Sequence, residues 1–359
     1  MAGALFLTAT SRGDDAFRLF PHESGFLLAS NMEPAPAPLW DRERVFAQAT
    51  WPPSFPFESE SANLKAAAQQ VVSTLEAPPR GPSNLGVALG YTVLALTLGG
   101  SAYNSWRGGS FSNFHFTDEF FFGRNTYTGG VDKASHFVDY NVASRVITLA
   151  YSYLGFSDFK SQLYGSGAAF LAGLWTEIGD GTTLYGFSYE DLTMDAFGTA
   201  TAFGLAVSGW DDTIGFRIGR FSPDKTPACC YTNANYGRDY SGEMYMGDLK
   251  LDGAARRVGL RPGIARFFLL TMNYGTNGYR LATADIRQRL LGIEIGLNFN
   301  AFLREFKVPE TTWWGRPLYL FFDCFRIPYT GVGFRYDLNH KKWYGPTAGY
   351  TPFETTGGM

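Results

Sequence analysis

The apolar residues of this chain keep one period from about residue 81 to about residue 212 and a different one beyond it. Before that point they fill long stretches that suit the 3.6-residue turn of a helix. From about 213 onward they alternate with small or polar residues at a period of 2. The period decides which face of an element can be buried, so this single change predicts two kinds of structure in series. We expect an α+β protein. A membrane-associated helical bundle of about four helices would occupy 81–212, and an antiparallel β-sheet or partial β-barrel would occupy 213–359.

The first helical stretch is the most apolar. Gly81 to Trp106 carries no charge, and its centre, LGVALGYTVLALTLGG, is apolar on every side. Roughly 20 such residues cross a bilayer core. A helix buried in a globular protein has the same composition, and glycines permit close helix contact in either setting. The segment 131–154 mixes Asp139, Asn141 and Arg145 with apolar residues, so it reads as amphipathic. Ser161–Thr176 and Ala196–Trp210 are uncharged, with turns expected at Phe156–Lys160 and Gly181–Ser188.

The alternation is plainest in Leu291–Ala301. Leu291, Ile293, Ile295, Leu297 and Phe299 are apolar, while Gly292, Glu294, Gly296, Asn298 and Asn300 between them are small or polar. Such a strand has two unlike faces and the ~9–11 residues of a membrane-crossing β-strand. A water-soluble sandwich gives the same alternation. Further strands are expected at 214–221, 243–251, 265–274, 317–327 and 331–338. Glycine- and aromatic-rich strands favour an envelope barrel or curved sheet, and because six or seven strands are few for a closed barrel, a partial one is equally expected.

Charged residues make up 18% of the 359-residue chain and aromatic residues 17%, including 32 Phe and 20 Tyr. Ordinary soluble domains carry ~25% charge, so this balance favours a membrane or cell-envelope setting, outer-membrane-associated or periplasmic. The net charge of −3 offers no electrostatic footprint for nucleic acid. Cys229, Cys230 and Cys324 include no CxxC pair, so a cysteine zinc site is not expected. Residues 1–80 read as an irregular arm rich in Pro and aromatic residues. One helix is expected there at about 61–75, and Trp40, Trp51, Phe55 and Phe57 are anchors for protein partners. The apolar start MAGALFLTAT resembles the end of a secretion signal, and no Cys follows it to accept a lipid anchor.

Three short polar clusters stand at the ends of these apolar segments. They are Asp132-Lys133 with His136, then Glu177 with Asp180, then Asp191 with Asp195. Asp132 and His136 are four residues apart on one helical face, and Tyr140 continues it. A carboxylate beside an imidazole fixes its tautomer and raises its basicity, as a general base or metal ligand requires. The alternative is structural, with Asp132 and Asp191 meeting the positive ends of their helices and Glu177 satisfying His136 in a packed core. One His among several carboxylates is a weak zinc pattern, and no cofactor is read from it. His115 is either a second imidazole for the site or an interfacial loop residue. A lone buried charge is costly, so Asp132, His136, Glu177 and Asp191 should converge, with the imidazole within ~6 Å of Glu177 or Asp191.

At these residues the chain resembles a known family. DKASHF, EIGDG and GFSYEDL with a following glycine, spread over about 85–210, are similar to bacterial predicted periplasmic lipoproteins of unknown function, whose distant relatives are the VanZ-like membrane proteins. The stretches DYSGEMY and NYGTNGY resemble the β-rich tails of longer members. The family usually carries Asn where Asp195 stands. The resemblance implies an envelope protein with a helical bundle and supplies no reaction. No GxSxG, HExxH or P-loop motif is present. The expected function is therefore a non-catalytic structural or accessory component that packs against membrane lipid or partner proteins. The alternative is a membrane-associated hydrolase or transferase acting on a lipid-linked or cell-wall precursor.

Overall fold

Ser83 begins the first helix by accepting the Gly86 amide at 3.0 Å. In the computed structural model, which describes residues 81–106, 109–220, 240, 243–279 and 287–348, this helix is α1 (Asn84–Ser105). The arm over 1–80, its expected helix at 61–75, and Cys229 and Cys230 lie outside the described residues. Among the described helices, α1 is the one long and apolar enough to cross a membrane, and only Gly86 and Gly90 are buried along it.

A two-residue strand β1 (Phe116–Thr117) precedes α2 (Val131–Tyr153) and α3 (Asp158–Gly181); β2 (Phe187–Ser188) then leads into α4 (Tyr189–Ser208). The second of these strands pairs in parallel with the first. The helices α3 and α4 begin earlier than their uncharged stretches, because their charged first turns are helical too. Ser188 caps α4 by accepting the Asp191 amide at 3.2 Å. The bundle is assembled by α2 against α3 and α4, and by α1 against α3. Small residues allow these approaches. A Cβ on Gly198 would collide with the Phe137 carbonyl, and one on Gly165 would lie 2.6 Å from the Thr148 backbone nitrogen.

Six strands follow: β3 (Ile214–Arg220), β4 (Glu243–Lys250), β5 (Phe268–Asn277), β6 (Gln288–Leu297), β7 (Gly331–Asp337) and β8 (Lys342–Ala348). They pair antiparallel in sequence order, with β3 and β8 as edges, so the sheet is open and no barrel closes. Three short helices accompany them: α5 (Leu251–Arg257), α6 (Phe299–Glu305) and α7 (Gly315–Cys324).

The strand expected at 317–327 is instead α7. Its aromatic run reads as β, but Pro317 lies in the first turn, where a missing amide costs nothing, and Gly315, Tyr319 and Cys324 are buried along the helix. Tertiary contact with β3 and α2 selects the helix. The alternation at 291–301 likewise ends at Leu297, because Asn298 accepts the Ala301 amide and starts α6. The sequence reading omitted β8, whose Gly345-Pro346 pair argues against a central strand; Pro is tolerated at an edge.

The sheet is inside out. Leu249, Leu270, Ile295 and Val332 are neighbours across four strands, and Met272, Ile293 and Phe334 form a second row. All seven side chains are exposed, Met272 at 62% and Ile295 at 57%. The opposite face is buried and polar. Arg217 grips Asp248 through Nε and Nη2 at 2.5 and 2.8 Å, Thr271 donates to the same carboxylate, and Glu294 pairs with Arg326. Met244, Met246 and Leu290 are buried on that face too, and a second apolar cluster forms where Val131, Val138 and Val142 of α2 meet Tyr240, Tyr245 and Cys324. Cys324 is a free buried thiol.

Gly198→Ala should lower the unfolding free energy by about 1–3 kcal/mol, the usual range for an overpacked contact. Gly204→Ala meets nothing within 4 Å and should be neutral or stabilising. Thermal unfolding of the two variants beside the parent checks this. Equal shifts would show that the α2–α4 approach is not limiting.

Candidate functional site

Thr128, Gly129 and Gly130 turn into α2 with three successive left-handed φ values of 53°, 71° and 87°. Glycine is needed at the last of these, where a Cβ would lie 2.6 Å from the Phe121 carbonyl oxygen. Strand β5 holds the turn: Tyr274 Oη donates to the Gly129 carbonyl at 2.6 Å and Thr276 Oγ1 to the Thr128 carbonyl at 3.0 Å. Thr128 Oγ1 in turn accepts the Asp132 amide at 3.2 Å. Asp132, Lys133 and His136 therefore enter on the first turns of α2 from a fixed starting point.

The opposite wall is set by Glu177 near the end of α3. Its Oε2 accepts the Ser188 amide at 3.0 Å, and Ser188 is the cap of α4. One carboxylate thus ties the end of α3 to the start of α4 and places Asp191 and Asp195, one turn apart, opposite α2.

Lys133 stands at the centre, 1% exposed. Its Nζ donates to Asp132 Oδ2 at 3.0 Å, to Glu119 Oε2 at 2.5 Å and to Asp191 Oδ1. Tyr240 Oη donates to Asp132 Oδ1. His136 Nδ1 lies 2.7 Å from Asp195 Oδ1, while its Nε2 is 3.8 Å from Asp191 Oδ1 and 4.0 Å from Asp132 Oδ1. Polar atoms of His136, Glu177 and Asp195 all fall within 4.8 Å of one another. The structure thus gathers Asp132, Lys133, His136, Glu177, Asp191 and Asp195 from three helices. Asp180 lies one turn beyond Glu177, within the electrostatic reach of His136, Asp191 and Asp132. Tyr140 stacks beside His136 and donates to Thr176 Oγ1 at 3.3 Å. His115 is a loop residue whose Nδ1 lies 3.0 Å from the Asn113 carbonyl oxygen.

Two participants escaped the sequence reading of the cluster. Glu119 sits in an aromatic loop, Phe114 to Phe122, that carries no helical or strand period. Tyr240 lies in DYSGEMY, more than a hundred positions from its partner. The acidic pair Asp118-Glu119 set among phenylalanines was the available signal for the first, and only the fold reveals the second.

Six carboxyl groups share this region with Lys133 and His136, and they cannot all ionise cheaply. Burial pushes Glu177 up to about 9 and both Glu119 and Asp180 up to about 7. Burial opposes charge on His136, yet Asp195 and Asp191 hold its pKa well above the ordinary value. Against its own burial, Asp132 is drawn down to about 2 by His136 and Lys133. The cluster adjoins the C-terminal end of α1, where Ser101 Oγ meets Thr176 Oγ1 at 2.5 Å and Trp106 Nε1 donates to the Trp175 carbonyl at 3.0 Å. It therefore sits beside the edge of that apolar helix and not beside its middle.

Residues 118–206 match a family model described as Predicted periplasmic lipoprotein (DUF2279). The matched stretch includes Glu119 and all the expected site residues from Asp132 to Asp195. No curated protein and no solved structure matches the chain. The family match supports the expected resemblance to periplasmic lipoproteins, and nothing in the comparisons supports the VanZ-like link. A location in the bacterial cell envelope agrees with the family's description.

Lys133→Met should cost about 3–5 kcal/mol, because it leaves buried carboxylates uncompensated. Denaturant unfolding reads the loss, and a change below about 1 kcal/mol would show that Lys133 does not hold the helices together. The pH dependence has a definite sign. Glu119 and Asp180 keep their protons in the folded chain up to about 7, whereas the unfolded chain releases them near 4.5 and 3.8. Their contribution is present below the lower values and is lost as pH rises through the higher ones. In metal-free buffer the unfolding free energy should fall between about pH 5 and pH 8, and Glu119→Gln should flatten part of that slope.

Proposed function

We propose that this protein is a non-catalytic structural or accessory component of the bacterial cell envelope, packed against membrane lipid through α1 and the outer face of its sheet. The observation that carries this reading is the inverted polarity of the sheet. Two rows of exposed Leu, Ile, Met, Val and Phe cross β4 to β7, while Arg217, Asp248, Glu294 and Arg326 point inward. In water such a face is a liability; against lipid it is the required arrangement.

Three further features support the reading. Strands β5 and β6 are ten residues long, which suits the thickness of a hydrocarbon layer. Some aromatic side chains stand at helix ends, where a lipid–water boundary favours them. Trp106 stacks on Trp175 near the ends of α1 and α3, and Tyr153 at the opposite end of α2 donates to the Trp313 carbonyl. The polar cluster, meanwhile, joins α2, α3, α4 and the Glu119 loop by direct hydrogen bonds, which is what a helix lock requires.

The test is extraction and reconstitution. The full chain should stay with the membrane pellet in alkaline carbonate and require detergent to remain monodisperse. Ile293→Lys should lower its stability in lipid vesicles by about 2–4 kcal/mol, the cost of a lysine deep on a lipid-facing strand. Release by carbonate as a soluble monodisperse chain would overturn the proposal.

A further inference from the structure

The buried cluster has two halves that differ in how their charge is met. In one half, Lys133 serves Asp132, Asp191 and Glu119, and Tyr240 adds a hydrogen bond to Asp132. In the other half stand His136, Glu177 and Asp195, 2% and 0% exposed in the case of the two carboxylates. Among the described residues, no Lys or Arg makes an ion pair with either of them. The Glu177 carboxylate has the Ser188 amide, and Asp195 Oδ1 has His136 Nδ1. Asp195 Oδ2 is buried without any hydrogen-bond partner.

We propose that a divalent cation binds in this second half, ligated by His136, Glu177 and Asp195. An orphaned carboxylate oxygen in a sealed site is costly, and a metal ion satisfies it as no nearby donor does. The three ligand atoms already lie within 4.8 Å of one another. Ligands on one ion at ~2.1 Å are up to ~4.2 Å apart, so small side-chain rotations close the set. The orphan oxygen lies against Gly173 of α3, where a Cβ would strike Asp195 Oδ2, so glycine there is what lets the carboxylate take this position. One imidazole and two carboxylates select zinc, manganese or ferrous iron over the softer thiolate-bound metals. The ion would join one ligand from each of α2, α3 and α4, and would do for this half what Lys133 does for the other. This inference stands apart from the lipid-facing role of the sheet.

The full chain, purified in detergent and stripped with a chelator, is titrated with Co2+ while visible absorption is recorded. One Co2+ per chain is expected, with the ligand-field bands of a low-coordinate nitrogen and oxygen site. His136→Gln and Glu177→Gln should each weaken binding at least about tenfold. Asp118→Asn, in the loop outside the cluster, should bind as the parent does. Should His136→Gln fail to fold by circular dichroism, Glu177→Gln decides, because its amide oxygen still accepts the Ser188 amide. Absence of ligand-field bands in the folded parent, or binding unchanged by Glu177→Gln, would overturn the proposal.

Discussion

A fully buried ammonium group has to be surrounded by acceptors, and the way Lys133 meets that need organises the helical half of this protein. Its acceptors come from its own helix, from the Glu119 loop and from α4, so each of those segments is positioned by the same nitrogen. The desolvation of a lysine is repaid only when the partners are close and fixed. They are fixed here by independent devices: the left-handed turn at Thr128–Gly130, the Ser188 cap, and the Glu177 carboxylate that reaches that cap. Tyr240, three residues ahead of the first residue of β4, extends the network towards the sheet, so the polar cluster also connects bundle and sheet.

The sheet obeys the same rule of enclosed charge with the opposite outer surface. Arg217–Asp248 and Arg326–Glu294 are paired on the buried side, leaving the outer side free of charge from Leu249 to Phe334. Helix α2 lies between the two regions. Its valines pack towards Tyr245 and Cys324, while its first turns carry Asp132, Lys133 and His136. One element thus contributes to an apolar contact along its length and to an ionic one at its end. This accounts for the amphipathic composition of the segment 131–154.

Much of the architecture was legible because it rests on period and capping. The change of period near 212, the uncharged run that became α1, and the alternation at 291–297 are local signals that survive folding. Errors arose where a local signal was ambiguous. The aromatic run at 317–324 has strand propensity, and the helix there wins through its contact with β3 and α2. The edge strand β8 went unread because a Gly-Pro pair is disfavoured in any central strand.

The polar site divides in the same way. Spacing alone put Asp132 with His136 and Asp191 with Asp195 on common helical faces, and the cost of isolated buried charge argued that the three motifs would meet. Those conclusions need only helix geometry and electrostatics, which are properties of the sequence. Which atoms meet was decided by tertiary structure. Lys133 and not His136 became the hub, Glu177 turned to a backbone amide and not to the imidazole, and Glu119 and Tyr240 joined from segments without a periodic signal. Side-chain direction depends on how three helices and a turn are packed, and no window of sequence contains that information. The face of the sheet that points outward is decided likewise. Period 2 separates the two faces, but only the tertiary structure encloses the one carrying Arg217, Asp248 and Glu294 and lets α2 cover the other only in part, at Phe216, Tyr245 and Tyr274.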